Sequence, residues 1–169
     1  MKRIAFYVIV AAQALFLIGM SAAYYAIDAV GESIKLRTEP IDPRDLFYGD
    51  YVTLNYEIEQ IPIEKWNVEK EASYGDMIHV LLERREDGIY EVVEASNRMY
   101  DPGDNQVAVQ AKYEWSSEVE KIHRVSYGIN RYYVEENTGR ELEEQAGEMI
   151  VEVAIAPWGQ KKIVSIDNE

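Results

Sequence analysis

The residues able to do chemistry in this chain are mostly acids. Asp42, Asp45 and Asp50 fall within one loop, and Asp101 and Asp104 bracket Pro102-Gly103. Clustered carboxylates can ligate calcium, but that ion takes roughly six to eight oxygens. Neither cluster has the Asp-x-Asp-x-Asp-Gly spacing of an EF-hand. No metal and no cofactor is therefore expected. His79 and His123 stand on separate strand-like runs without metal-ligand spacing, and are expected half-buried or at the surface. The absence of cysteine excludes disulfides, thiolate zinc sites, iron–sulfur clusters and a thiol nucleophile. A glycosidase would need two carboxylates at a set separation. With 31 acids in the chain, some such pair arises by chance, so spacing alone selects none.

The densest constellation is Pro40-Ile41-Asp42-Pro43-Arg44-Asp45-Leu46-Phe47-Tyr48-Gly49-Asp50-Tyr51. Two prolines and a glycine restrict this loop to few conformations. Gly49 suits a positive-φ turn. Asp50 can accept backbone N–H bonds across that turn or pair with Arg44. Two readings follow: a structural corner locked by Asp–Arg and Tyr–Pro contacts, and a recognition surface near a membrane. The corner is favoured, because loop carboxylates beside arginine are mostly structural pairs. Thirteen tyrosines and three tryptophans add a third candidate. Tyr132, Tyr133, Trp66, Trp115 and Trp158 suit either a ligand platform or cross-strand core pairs, and the core is favoured.

These side chains need strands to hold them. Val52, Leu54, Tyr56 and Ile58 alternate with polar residues, the period of a half-buried strand, so Leu54 and Tyr56 should pack inward and Tyr51 outward. Val107, Val109, Ala111, Tyr113 and Trp115 alternate in the same way. Asp87-Gly88 between Met77–Arg85 and Ile89–Glu94 predicts a hairpin with two positive-φ residues. Pro157-Trp158-Gly159 predicts a second hairpin, between Met149–Ala156 and Lys161–Ile166. Ile34–Thr38 reads as a short first strand. Thr138-Gly139-Arg140-Glu141 matches a capping box and predicts one short helix ending near Gly147.

From Ile4 to Ile27 there is no charged residue. About 24 helical residues reach roughly 36 Å, enough to cross a bilayer core. A cleaved secretory signal is the competing reading, with Ala22, Ala23 and Ala26 as small residues near a cut. The apolar run is longer than such signals carry, which favours an uncleaved anchor. Lys2 and Arg3 precede the run and Asp28 and Glu32 follow it, so the N-terminus is expected in the cytoplasm and the rest outside. Residues 1–30 then form the anchor and 31–169 an extracytoplasmic domain. With 17 Lys and Arg against 31 Asp and Glu, the chain carries −14. That charge argues against nucleic acid as a partner and predicts repulsion from anionic headgroups.

Gly49-Asp50-Tyr51, Leu54 and Tyr56 fill every fixed position of the motif that names the GDYXXLXY proteins, which the chain resembles here. Asp42-Pro43-Arg44-Asp45-Leu46 is similar to the loop leading into that motif. Tyr127-Gly128-Ile129-Asn130-Arg131-Tyr132-Tyr133-Val134-Glu135, followed by Gly139 and Glu141-Leu142-Glu143, is similar to the family's second block. A proline common at the place of Glu135 or Glu136 is missing. The resemblance implies a bacterial protein with an N-terminal membrane segment, often encoded beside multi-spanning membrane proteins. It carries over no catalytic residue or cofactor. Leu46 to Val52 is also similar to the Gly-Asp-x-Val strand of membrane-bound signal peptidases. Their serine would fall in the loop that here reads Asp42-Pro43-Arg44-Asp45, which contains none.

The expectation is a mainly β protein: an N-terminal transmembrane helix followed by an antiparallel β-sandwich or partly closed β-barrel with one short helix. Its expected role is a non-catalytic interaction module, an accessory subunit of a multi-spanning envelope protein. The candidate interaction residues are Asp42, Arg44, Asp45, Gly49, Asp50, Tyr51, Leu54, Tyr56, Arg131, Tyr132 and Tyr133. Expected contacts are membrane lipid through the helix and a multi-spanning membrane protein. The alternatives are a glycan- or peptide-binding domain and an envelope hydrolase.

Overall fold

The computed structural model describes residues 2–39, 51–133 and 149–168. Helix α1 (Lys2–Val30) takes in the whole apolar run and is long and apolar enough to cross a membrane. Eleven strands follow among the described residues: β1 (Glu32–Arg37), β2 (Tyr51–Thr53), β3 (Gln60–Pro62), β4 (Trp66–Asn67), β5 (Met77–Arg84), β6 (Tyr90–Ser96), β7 (Gln106–Ser117), β8 (Ile122–Ser126), β9 (Arg131–Tyr133), β10 (Met149–Ile155) and β11 (Lys161–Asn168). They form a six-stranded sheet ordered β3-β8-β7-β5-β6-β4, a three-stranded sheet β1-β10-β11, and the pair β2-β9. The chain is therefore mainly β, with the large sheet nearly closed. The pairing is antiparallel except that β4 runs parallel to β6, through Trp66↔Ala95 and Asn67↔Ser96.

Alternation builds the sheets. In β5, Ile78, Val80 and Leu82 are buried between half-exposed neighbours, and in β7 Val107, Val109, Ala111 and Tyr113 do the same. These side chains meet Ile34, Leu36, Val151 and Val153 from the three-stranded sheet in one core. A parallel bridge between Lys35 and Ile89 ties the two sheets along one edge. The larger predicted hairpin joins β5 to β6, but only Gly88 has positive φ (+85°). The Asp87 carboxylate accepts the Ile89 N–H at 2.9 Å instead, and the Arg85 N–H donates to the Ile89 carbonyl.

Two strand expectations need correction. The alternating run after Val52 does bury Leu54, Tyr56 and Ile58, but the strand ends at Thr53. The chain then turns through a 3-10 segment, Glu57–Glu59, whose start is held by the Glu59 carboxylate accepting the Tyr56 N–H. Trp115 does not follow Tyr113 inward. A bulge shifts the register between them, and Trp115 lies exposed. The helix predicted from Thr138 lies outside the described residues.

Candidate functional site

The junction between α1 and the sheets is the best-built site on the surface. Among the described residues, the side chains of α1 are exposed as far as Ala22, yet Ile27 is fully buried against Ala154 and Ala156 of the β10 end. This contact explains why β10 is buried on both faces at Ala154 and Ile155, where a half-exposed strand would alternate. The Gly31 N–H donates to the Ile27 carbonyl at 2.8 Å, and β1 begins one residue later. A Cβ at Gly31 would stand 2.5 Å from the Ile27 carbonyl oxygen, so only glycine fits between helix and strand.

Charge completes the clamp. Helix C-termini favour cations, but the last turn of α1 has no basic residue and carries Asp28. Lys162, from β11, supplies the missing charge. Its ammonium donates to both Asp28 carboxylate oxygens, at 2.9 and 2.8 Å, and sits 4.6 Å from the Tyr24 ring centroid.

Two hollows open beside this clamp. One, of about 320 Å³, is lined by Tyr24, Ile129, Arg131, Tyr132, Lys161 and Lys162, among others. The other, of about 480 Å³, is lined by Glu32, His79, Tyr100, Trp158 and again Lys161. Lys161 stands in both, at a register position opposite Ile155. It is half-buried, and burial lowers its ammonium pKa. Among the described residues it forms no ion pair.

A second polar cluster lies inside the domain. Glu59 is 3 % exposed, and its carboxylate accepts from the Arg124 guanidinium at 2.8 Å. Arg124 also donates to Asn55 and Glu39. Burial outweighs Arg124 and pushes the Glu59 carboxyl up to about 7. The Tyr127 hydroxyl donates to the Ile58 carbonyl, and burial raises its pKa well above the usual range. These groups satisfy one another and line neither hollow, so they hold the fold.

The two sequence blocks that resembled the family meet in space. Tyr51, Val52 and Thr53 pair with Tyr133, Tyr132 and Arg131. The Leu54 N–H donates to the Asn130 carbonyl. Leu54 and Tyr56 are core residues, each fully buried. Arg131 and Tyr132 reach the smaller hollow. Asp42, Arg44, Asp45, Gly49 and Asp50 lie outside the described residues. No group of three or more His, Asp or Glu able to hold a metal occurs among the described residues. His123 stacks on Trp66, with centroids 4.1 Å apart and rings 12° from parallel, and Trp66 packs on Tyr113. That cluster packs β4 against β7 and β8, which are not its neighbours in the strand order; Trp158 lines the larger hollow. Sequence reasoning missed Asp28, Glu59, Arg124, Lys161 and Lys162 as structural or site residues. The Lys161-Lys162 pair after a tight turn was the one local signal available.

The fold and junction define a class: a β-rich domain fused without slack to an apolar helix. The family model described as "GDYXXLXY protein" matches residues 13–166, and the chain belongs to that family. No curated protein and no solved structure matches it.

Proposed function

We propose that the protein is a membrane-anchored extracytoplasmic interaction module, an accessory subunit held against a multi-spanning membrane protein of the bacterial cell envelope. Its N-terminus is cytoplasmic and α1 remains uncleaved. One observation carries this reading: the helix enters β1 through Gly31 alone and is clamped to β10 and β11. A simple tether needs only a flexible linker. A fixed junction sets the domain's orientation to the bilayer, which a face presented to a partner in the membrane plane requires. The helix supports the same reading, since its apolar side chains are exposed from Ile4 to Met20 and need lipid or another helix around them. Cleavage after Ala26 would remove Tyr24 from beneath Lys162. Mild detergent extraction from native membranes, with mass spectrometry of what co-purifies, tests the proposal. A multi-spanning partner is expected. Recovery as a lone monomer under every mild condition, or a mature chain beginning beyond Ala23 and free in the medium, overturns it.

A second reading, a domain for a small glycan or peptide, is favoured by the larger hollow, where Tyr100 and Trp158 meet Lys161. Saturable quenching of Trp158 fluorescence by cell-wall fragments would support it. Unchanged fluorescence throughout the titration would remove it. The hydrolase reading gains no such observation.

A further inference from the structure

We propose that the turn between β10 and β11, with Trp158 at its tip, rests in the headgroup layer of the membrane beside the helix exit, as a second lipid contact of the protein. The inference rests on α1 being an uncleaved membrane anchor and needs no protein partner.

Four observations carry it. The first is register. β1 leaves the helix and runs antiparallel to β10, with Ser33 opposite Ala154 and Glu32 opposite Ile155. β10 therefore runs back toward the helix, and its turn at Pro157-Trp158-Gly159 passes the first residue of β1. Ile27 packs on Ala154 and Ala156, so this end of the hairpin lies alongside the last turns of α1. The second is depth. Lys162, opposite Ala154, has its ammonium 4.6 Å from the Tyr24 ring centroid. Tyr24 and Tyr25 stand near the end of the uncharged run, where tyrosine marks the headgroup layer. Trp158 stands beyond Ala154 along β10, and so comes to the same layer.

The third is the chemistry of the tip. Pro157 is exposed and Trp158 is 52 % exposed. The indole N–H donates to the Gln160 side-chain oxygen at 3.2 Å, which leaves hydrocarbon as the exposed part of the ring. Tryptophan of this kind is the residue that interfacial belts collect. Val30, at the helix end, and Met99 are also exposed and line the same hollow as Trp158. The apolar surface is thus continuous from the helix to the tip. A lipid surface requires that continuity, whereas a soluble ligand does not. The fourth is charge. The chain bears −14, yet no acid occurs between Glu152 and Asp167, a stretch that takes in the tip and most of both its strands. Repulsion by headgroups is least there. Glu32 lines the same hollow but stands opposite Ile155, short of the tip.

The test places the full-length protein in nanodiscs of phosphatidylcholine, with and without bromine at shallow acyl positions. Bromine in the lipid quenches a tryptophan that touches it. The share of emission owed to Trp158 is read as the difference between the native protein and Trp158→Phe. That share should be lost in brominated discs and should resist iodide added to the water. Trp115→Phe should leave the loss unchanged. A share quenched by iodide and not by bromine puts the tip in water and overturns the proposal. So does a share that neither quencher reaches, which puts the tip against protein, or an equal bromine effect in the native protein and Trp158→Phe. The chain has no cysteine, so Pro157→Cys takes a single nitroxide label and gives a second reading. Oxygen should relax that label more than a nickel chelate does, and the reverse order overturns the proposal. Failure to enter nanodiscs would overturn the anchor instead, a different outcome from a tip found in water.

Discussion

The Tyr56 hydroxyl donates to the Ile129 carbonyl at 3.0 Å, joining the last residue of the family motif to the second block across 73 positions of chain. Tyr56 is fully buried, and burial, with the nearby Glu59 carboxylate, raises its phenol pKa, so it stays a neutral donor. Tyr56→Phe removes the donor while keeping the ring. The expected cost is about 1–2 kcal/mol, one hydrogen bond with a buried acceptor left over. Chemical denaturation should show the loss in midpoint with an unchanged slope. An unchanged midpoint would mean that the motif tyrosine serves something other than this link.

Arg124 holds Glu59 in the interior, at 15 % and 4 % side-chain exposure. Arg124→Met leaves the acid buried without its cation, at a cost of about 3–5 kcal/mol. A double variant, Arg124→Met with Glu59→Leu, should recover most of that loss, because it removes the stranded group as well. Failure of the double variant to recover would assign the cost to packing around Arg124.

Glu59 also makes stability depend on pH. Its carboxyl rises from 4.5 to about 7 on folding, so between those values the folded chain holds a proton that the unfolded chain has released. The contribution of Glu59 is therefore fully present below pH 4.5 and lost as pH rises through about 7. Relative to Glu59→Gln, which stays neutral, the native protein should lose Tm over that window as pH increases. Parallel curves for the two proteins would show that Glu59 does not titrate there.

Gly31→Ala pushes a methyl into the Ile27 carbonyl, 2.5 Å away. The helix end must then move off Ala154, at about 1–3 kcal/mol for an overpacked contact. Both Tm and recovery of a membrane partner should fall. A fall in Tm with full partner recovery would separate the junction's stability from its role in docking.

Much of the fold is legible in local pattern, because a strand's two faces repeat every second residue. The runs around Gly88 and Trp158 gave their hairpins for that reason. The alternation after Val52 named the right buried residues but the wrong backbone. Burial period survives a break in the strand, and the break depends on Glu59 reaching back to the Tyr56 N–H. Trp115 was misplaced because one bulge reverses every side chain beyond it. The clamp was less visible still. Asp28 and Lys162 are 134 positions apart, and Glu59 and Arg124 are 65 apart. No periodicity links residues at such distances. Arg131 and Tyr132 stand in the block that resembles the family's second motif, and both line the smaller hollow. Lys161, which also lines it, carries no sequence pattern that separates it from a surface lysine.

The passage from Ile27 into β1 is closed by the Gly31 N–H bond to the Ile27 carbonyl and is packed tightly at Gly31, with no linker between helix and strand. Within the proposed membrane setting, the domain therefore inherits whatever tilt and spin the helix adopts. A change in bilayer thickness, or a neighbour that rolls the helix about its axis, would swing the far loops through an arc. Movement inside the lipid would thus be readable outside it, by lever action alone.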